Sequence, residues 1–215
     1  MSGGITFRED FGAWWPDYDH KPENCHRAVL RGLPDMDHAI ARCRQRRRCV
    51  QAGAHAGFWP RRLAGHFKHV VAFEPEPKLH ECARRNLEMW GVRNVELRRE
   101  ALSSLTGRGS MLPHCSAGSW RVAPRDAPAE AVPIDLLSLD DLGLRDVDAV
   151  MLDVEGHESH AILGAARTIR SSWPVILVEM LPATAAANRE ALRGLGYALA
   201  ARAHKDEVYV RTAAA

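Results

Sequence analysis

The sequence predicts a doubly wound α/β domain built on a mostly parallel β-sheet. Short apolar runs that fit buried strands alternate along the chain with segments whose apolar residues have helical spacing. Strand–helix alternation of this kind favours parallel strands, because each helix returns the chain to start the next strand in the same direction. Glycines or acidic residues follow several of the runs, at the carboxyl ends where such sheets bind ligands.

Composition limits the class of protein. The 215 residues are 46% apolar and 26% charged, which suits one soluble domain with an extension. The net charge of +2 argues against a nucleic-acid surface without excluding one. No apolar run could span a membrane and the start lacks a signal core, so we expect a cytoplasmic protein with no membrane partner. The five scattered cysteines predict neither a disulfide nor a zinc site.

The first half of the chain predicts an extension followed by three strands. Residues 1–34 are aromatic and without periodicity, so we interpret them as an irregular lid or flap on the domain formed by residues 35–215. A helix over 35–46 precedes the first strand at residues 49–52. The remaining elements are a helix carrying Trp59, Leu63 and Phe67, a strand at 69–74, a helix from Pro77 to Gly91 and a strand at 95–97.

The second half repeats the pattern after an interruption. Residues 103–130 are rich in Ser, Gly, Pro and Arg, which predicts a long excursion. Strands follow at 147–153 and 175–179, helices at 157–171 and 183–193, and an antiparallel hairpin involving Leu199 and residues 208–210 ends the domain.

A glycine turn and a later acid predict a site for a ribose-bearing cofactor. Gly53 and Gly57 lie between a strand and a helix, where glycine lets the backbone turn tightly against a ligand. Glu74 ends the next strand, where a carboxylate can hold the two hydroxyls of a ribose. The alternative is a solvated strand end. The required order of turn, helix, strand and acid favours the ribose role, and the fold is then Rossmann-like.

The glycine pattern favours S-adenosylmethionine (AdoMet) over a dinucleotide. A pyrophosphate needs the full G-x-G-x-x-G turn at a helix N-terminus, and this chain has only two glycines there. AdoMet carries no phosphate, so a close backbone approach is sufficient.

A second cluster of ionisable residues follows the strand at 147–153. Asp153 and Glu155 alternate with Val154, and His157 and Glu158 begin the next helix. Like charges at one sheet edge oppose folding, which indicates a functional reason for them. The alternative is an acidic helix start that the helix dipole favours.

Several motifs together resemble the FkbM-type methyltransferases, over about residues 49–180. The matching segments, in order, are VQAGAHAGF at 50–58, VAFEP at 71–75, Asn86-Leu87, Ala101-Leu102-Ser103, IDLLSLDDL at 134–142, DAVMLDVEGHE at 148–158, Leu163-Gly164-Ala165 and Val178-Glu179. The resemblance implies a class I AdoMet methyltransferase fold and O-methylation of a hydroxyl on a sugar, glycan or other polar small molecule.

The resemblance also implies roles for individual residues. Cofactor binding would fall to the glycine turn, the ribose acid and the segment facing the adenine, that is Gln51, Gly53, Ala54, His55, Gly57, Phe58, Glu74, Pro75, Glu100, Ala101 and Leu102. Asp153 would lie beside the sulfonium, and Glu155, His157 and Glu158 would line the reaction pocket as catalytic residues.

Three positions depart from the family pattern. Gln51 stands where the family usually has Asp, His55 where it often has Asn, and Met151 where it often has Lys. Loss of that lysine leaves the acids near Asp153 in need of a counter-charge. The AdoMet sulfonium, a protonated His157 or a divalent cation could supply it, and we favour the sulfonium without a metal.

The acceptor side and two rival functions stay open. Trp14 and Trp15 could stack on an acceptor or could bury apolar surface as a flap, and Ser119 in the excursion could cross the pocket mouth. A nucleotide- or nucleic-acid-modifying methyltransferase is one alternative, although Asp153-Val-Glu-Gly replaces the Asn/Asp-Pro-Pro-aromatic motif usual in base-amino methylation. The other is a non-catalytic AdoMet-fold binding module. The sequence does not predict the oligomeric state.

Overall fold

The computed structural model describes residues 4–124 and 129–212. Its strands are β1 (Ile5–Arg8), β2 (Ala13–Pro16), β3 (Arg48–Ala52), β4 (His69–Phe73), β5 (Val95–Arg98), β6 (Ala101–Leu102), β7 (Gly107–Leu112), β8 (Arg121–Val122), β9 (Val132–Leu137), β10 (Val147–Leu152), β11 (Val175–Glu179), β12 (Tyr197–Ala203) and β13 (Asp206–Arg211). Its α-helices are α1 (Pro22–Gly32), α2 (Asp35–Ile40), α3 (Phe58–Ala64), α4 (Pro77–Met89), α5 (Glu158–Leu163), α6 (Ala166–Ser172) and α7 (Ala185–Gly194).

A seven-stranded sheet organises the domain, in the order β12-β13-β11-β10-β3-β4-β5. Strands β11, β10, β3, β4 and β5 are parallel, and β13 pairs antiparallel with both β11 and β12. The predicted doubly wound sheet with a terminal antiparallel hairpin is therefore confirmed. The chain runs outward from β3 to β5 on one side and from β10 to β13 on the other. The gap between the ends of β3 and β10 is thus the switch point where such sheets bind ligands.

Alternate residues of the central strands fill two cores, one on each face of the sheet. Val150 and Leu152 of β10 pack with Phe73 on one face, and Ala149 and Met151 pack on the other. The alternation follows from the period of two along a strand, and burial on both faces explains why these strands are apolar throughout. Among the described residues, no helix is long and apolar enough to cross a bilayer.

Three predicted segments differ from the structure. The excursion predicted at 103–130, of which residues 125–128 lie outside the described part, contains strands that were not predicted, because β7 and β8 join β6 and β9 in a second sheet, of order β6-β9-β7-β8. The helix predicted at 35–46 ends at Ile40. The helix predicted at 157–171 is two helices that break at Gly164, where an added Cβ would lie 1.9 Å from the Ser103 carbonyl oxygen. The close contact of backbone with backbone at Gly164 leaves no room for a side chain at this position.

The N-terminal extension is regular rather than irregular. Strands β1 and β2 form a hairpin, and helix α1 follows it. The side chain of Asn86 on α4 joins the hairpin to the domain, since it accepts from the Trp14 N–H at 2.6 Å and donates to the Trp14 carbonyl at 2.9 Å. Trp15 is fully buried, and its indole donates to Asp19 at 2.9 Å. Strands of four residues are too short to show a detectable alternation in the sequence.

Candidate active site

A cavity opens at the switch point between β3 and β10. The space between its walls is about 1030 Å³ with the open mouth included. Segments from across the chain form its walls: Cys25, Ala28, Val29, Gly32, Ala52, Gly53, His55, Trp59, Phe73, Glu74, Pro75, Leu79, Ala101, Leu102, Met111, Ala117, Gly118, Trp120, Val122, Asp153, Val154, Glu155, His157 and Lys205.

The glycine turn after β3 forms the floor of the cavity. Gly53 has a φ of +86°, and a Cβ there would lie 1.9 Å from the Asp153 carbonyl oxygen, so only glycine lets the ends of β3 and β10 approach this closely. The buried Gln51 side chain donates to the carbonyls of Ala52 at 3.1 Å and Gly53 at 2.9 Å. Gln51 therefore stabilises the turn and does not line the cavity.

Other predicted residues of the turn lie behind the cavity wall. Gly57, with a φ of +91°, caps α3, and Ala54 and Phe58 are buried without lining the cavity. His55 does line it, with a φ of +51° and its Nε2 3.3 Å from the Cys25 sulfur. Burial lowers the pKa of His55 to about 4, so the ring is neutral at pH 7.

Glu74 lies at the end of β4 and is 5% exposed. Its two carboxylate oxygens accept from the backbone N–H of His55 at 2.7 Å and of Glu76 at 3.0 Å. Burial raises its pKa to about 8, although both hydrogen bonds oppose the rise. The remaining lone pairs are available to hydroxyl donors in the cavity, as a ribose would provide.

Beyond Glu74 the cavity wall is apolar. Pro75, Leu79, Ala101 and Leu102 supply side chains that could enclose a flat ring. Glu100, which the resemblance placed at the adenine, instead pairs with Arg98 at 2.6 Å and is not part of the wall.

The turn after β10 brings Asp153, Glu155 and His157 to the opposite wall. Glu155 has a φ of +52°, which residues other than glycine rarely adopt, and the following Gly156 has a φ of +100°. The fully buried Glu158 carboxylate holds this turn, because it accepts from the backbone N–H of Val154 at 3.2 Å and of Gly156 at 3.0 Å. Glu158 is thus a positioning residue and does not line the cavity.

Glu155 and His157 have opposite electrostatic surroundings. Burial raises the pKa of Glu155 to about 7, the charge of Asp153 adds to the rise, and Lys205 and Arg121 oppose it. Burial lowers the pKa of His157 to about 4, and its Nε2 lies 3.0 Å from the Ser103 hydroxyl. The predicted option of a protonated His157 as counter-charge is therefore wrong at neutral pH.

The counter-charge for the acids is a lysine that sequence reasoning missed. Lys205 Nζ forms a close ion pair with Glu179 and lies 3.6 Å from Asp153 Oδ2. Met151, where the family often has a lysine, is fully buried in the apolar core. The expectation that this chain lacks a cation at the cluster is thus corrected, because β12–β13 supplies one from the far end of the sequence.

Oxygens of Asp153, Glu155 and Glu179 lie within 4.8 Å of one another, close enough to hold a metal ion. Lys205 already pairs with two of these three carboxylates. An ammonium there competes with a divalent cation for the same oxygens. The absence of a metal requirement stays a prediction.

The extension and the second sheet close the cavity over the glycine turn. Helix α1 contributes Cys25, Ala28, Val29 and Gly32, and the second sheet with its connecting turn contributes Met111, Ala117, Gly118, Trp120 and Val122. Neither Trp14 nor Trp15 lines the cavity, since Trp15 packs among Phe11, His26, His55 and Phe58. Ser119 is likewise absent from the wall, although both of its neighbours line it.

A second hollow adjoins the cavity at the acidic turn. It is lined by Arg121, Val122, Glu155, Gly156, His157, Leu181, Ala183 and Thr184. Val122, Glu155 and His157 belong to both walls. Glu155 therefore lies at the boundary between the two hollows.

Strand order and cavity position define the Rossmann-like class I fold of AdoMet methyltransferases. The same fold occurs in magnesium protoporphyrin IX methyltransferase from Synechocystis PCC 6803, solved with bound SAM, which is 15% identical with a TM-score of 0.51 over 87% of this chain and 84% of that one. It occurs also in an rRNA methylase from Streptococcus thermophilus, which is 16% identical with a TM-score of 0.52 over 81% and 92% of the two chains.

The family follows from the sequence itself. The FkbM methyltransferase domain matches residues 51–199, so the chain belongs to the FkbM methyltransferase family, as the motifs predicted. A crystal structure of methyltransferase FkbM from Methylobacillus flagellatus KT is 18% identical, with a TM-score of 0.59 over 76% of this chain. The match spans only 43% of that protein's chain. No curated protein matches this sequence significantly.

Proposed function

We propose that the protein transfers a methyl group from AdoMet to a hydroxyl of a polar small molecule or glycan. The observation that carries the proposal is the pairing of Glu74 with Asp153 and Glu155 on opposite walls of one cavity at the switch point. Glu74 suits a ribose, the apolar wall beyond it suits an adenine, and the acids suit a cationic sulfonium. When bound, AdoMet supplies a methyl group that its sulfonium already activates.

The task left to the protein is to align the acceptor, exclude water and remove a proton. Glu155 suits proton removal best, because a base works most effectively when its pKa is near the working pH, and burial places that pKa at about 7. His157 is a weaker base, since its pKa is about 4. Its hydrogen bond with Ser103 fixes the ring beside Glu155 instead.

The second hollow supports a polar acceptor. Arg121, His157 and Thr184 surround Glu155 there with donors and acceptors suited to a hydroxylated molecule. An acceptor in this hollow would reach the cofactor cavity at Glu155, which both walls share. An acceptor bound there would have to present its hydroxyl in line with the sulfonium–methyl bond, as the displacement requires.

The test is methyl transfer from labelled AdoMet to acceptor fractions sorted into sugars, glycans, other small molecules and nucleic acids. Label in the hydroxylated fractions, lost in Glu155→Gln with cofactor binding retained, supports the proposal. Label in nucleic acid alone would indicate the nucleic-acid-modifying alternative. Cofactor binding without label in any fraction would favour a non-catalytic module.

A further inference from the structure

We propose that Lys205 recognises the carboxylate at the methionine end of the cofactor, while Asp153 takes the neighbouring ammonium. This inference rests on the proposed use of AdoMet and assigns a residue to the half of the cofactor that Glu74 does not reach. AdoMet combines an adenosine with a zwitterionic amino acid, so its binding site needs a positive and a negative group close together.

The sheet places Lys205 at the cavity by register. Asp206 of β13 pairs with Glu179 at the end of β11, and the Met180 N–H donates to the Lys205 carbonyl at 3.0 Å. The turn between β12 and β13 therefore lies at the carboxyl edge of the parallel strands, beside Asp153. Lys205 reaches the cavity wall from this turn.

Lys205 is held firmly on one side and open on the other. The Glu179 carboxylate that pairs with Lys205 is buried, with 1% of its side chain exposed, so it stays in place when a ligand enters the cavity. The Lys205 side chain is 42% exposed, and Asp153 Oδ2 at 3.6 Å is too distant for a strong hydrogen bond. An ammonium has three N–H donors, so at least one remains for a ligand.

Charge decides where an anionic group could lie. Among the described residues of the cavity wall, Lys205 is the one lysine or arginine, whereas Glu74, Asp153 and Glu155 are acids. His55 and His157 do not help, because burial keeps both rings neutral at pH 7. A carboxylate anywhere else in this cavity would have no cationic side chain to pair with. Beside Lys205 it meets a cation whose pKa Asp153 and Glu179 raise, against the lowering effect of burial.

The experiment compares three ligands that share the adenosine half. Calorimetry on the full chain would measure binding of AdoMet, of decarboxylated AdoMet and of 5′-methylthioadenosine, which lacks the whole amino acid. The proteins are the wild type, Lys205→Met and the control Lys68→Met, since Lys68 is exposed and far from the cavity wall.

We expect Lys205→Met to weaken AdoMet binding roughly ten- to hundredfold, which corresponds to the loss of a charge-assisted hydrogen bond. The Lys205→Met variant should bind 5′-methylthioadenosine with unchanged affinity. It should bind decarboxylated AdoMet at least as tightly as it binds AdoMet. The wild type should prefer AdoMet over decarboxylated AdoMet, and Lys68→Met should behave like the wild type.

Two results would overturn the assignment. One is equal affinity of the wild type for AdoMet and decarboxylated AdoMet, a comparison that needs no variant to fold. The other is an equal loss of affinity for all three ligands in Lys205→Met, as expected if the lysine only stabilises the fold. A wild type that binds neither AdoMet nor 5′-methylthioadenosine would instead refute the proposed cofactor.

Discussion

Replacing Glu74 with glutamine should remove most of the pH dependence of AdoMet binding. In the free protein, burial holds the pKa of Glu74 at about 8. Two ribose hydroxyls would donate to its ionised form, so bound cofactor should lower this pKa. Binding must then release a proton near neutral pH.

The size of the effect follows from the pKa. At pH 7 a group with a pKa of about 8 is ionised in about one molecule in eleven, which costs about 1.4 kcal/mol of binding free energy. Ionisation of Glu74 should therefore contribute about a tenfold rise in affinity between pH 7 and pH 9, with release of about 0.9 proton from Glu74 at pH 7. Glu155, whose pKa is about 7, adds its own release as the cationic cofactor arrives.

Calorimetry in buffers of different ionisation enthalpy measures this proton release. Glu74→Gln should lower affinity and remove its share of the released protons, while keeping the share from Glu155. Glu190→Gln on the exposed face of α7 is the matched control and should change neither quantity. A wild type that releases no proton near pH 7 would contradict the ionisation of Glu74 on binding. So would a Glu74→Gln variant that releases as many protons as the wild type.

Three further predictions concern the base, the buried acids and the extension. At saturating AdoMet the rate of methyl transfer should rise with pH up to about 7, because the cationic cofactor lowers the pKa of Glu155 from its value in the free protein, and the residual rate of Glu155→Gln should lack that rise; an unchanged profile would exclude Glu155 as the base. Urea titrations of the cofactor-free protein should show the free energy of unfolding falling between pH 6.5 and 9. The pKa of Glu74 and of Asp206 is higher in the folded than in the unfolded chain, so stability present below the unfolded pKa is lost as the pH rises to the folded pKa; the part lost above pH 6.5 is about 2 kcal/mol from Glu74 alone. A flat profile would contradict the assigned burial. Trp15→Ala should cost about 3–5 kcal/mol of stability, because the indole is fully buried, whereas Trp14→Ala should cost less; equal losses would show that the hairpin packs differently.

The motif residues show how far sequence reasoning reaches within the site. Gly53, Glu74 and Asp153 each follow a strand directly, so a correct strand order places all three at one edge. Gln51 and Glu158 belong to the same motifs and Glu100 directly precedes another, yet their side chains face the turn, the backbone of 154–156 and Arg98. A motif fixes where the backbone runs, but side-chain direction depends on neighbours that the motif does not contain.

The alternating α/β pattern and the turns that carry Gly53, Glu74 and Asp153 could be predicted from the amino-acid sequence, because they depend on short-range periodicity and spacing, and the motifs carried the resemblance to the family. Only the tertiary structure showed that Lys205 neutralises the acids, that α1 and the second sheet close the cavity, and that Trp15 lies in the core. Those contacts join residues that are far apart in the sequence: Lys205 lies 52 residues beyond Asp153 and Cys25 lies 30 residues before His55. Contacts at such separation come from sheet register and packing, which leave no periodic trace in the sequence.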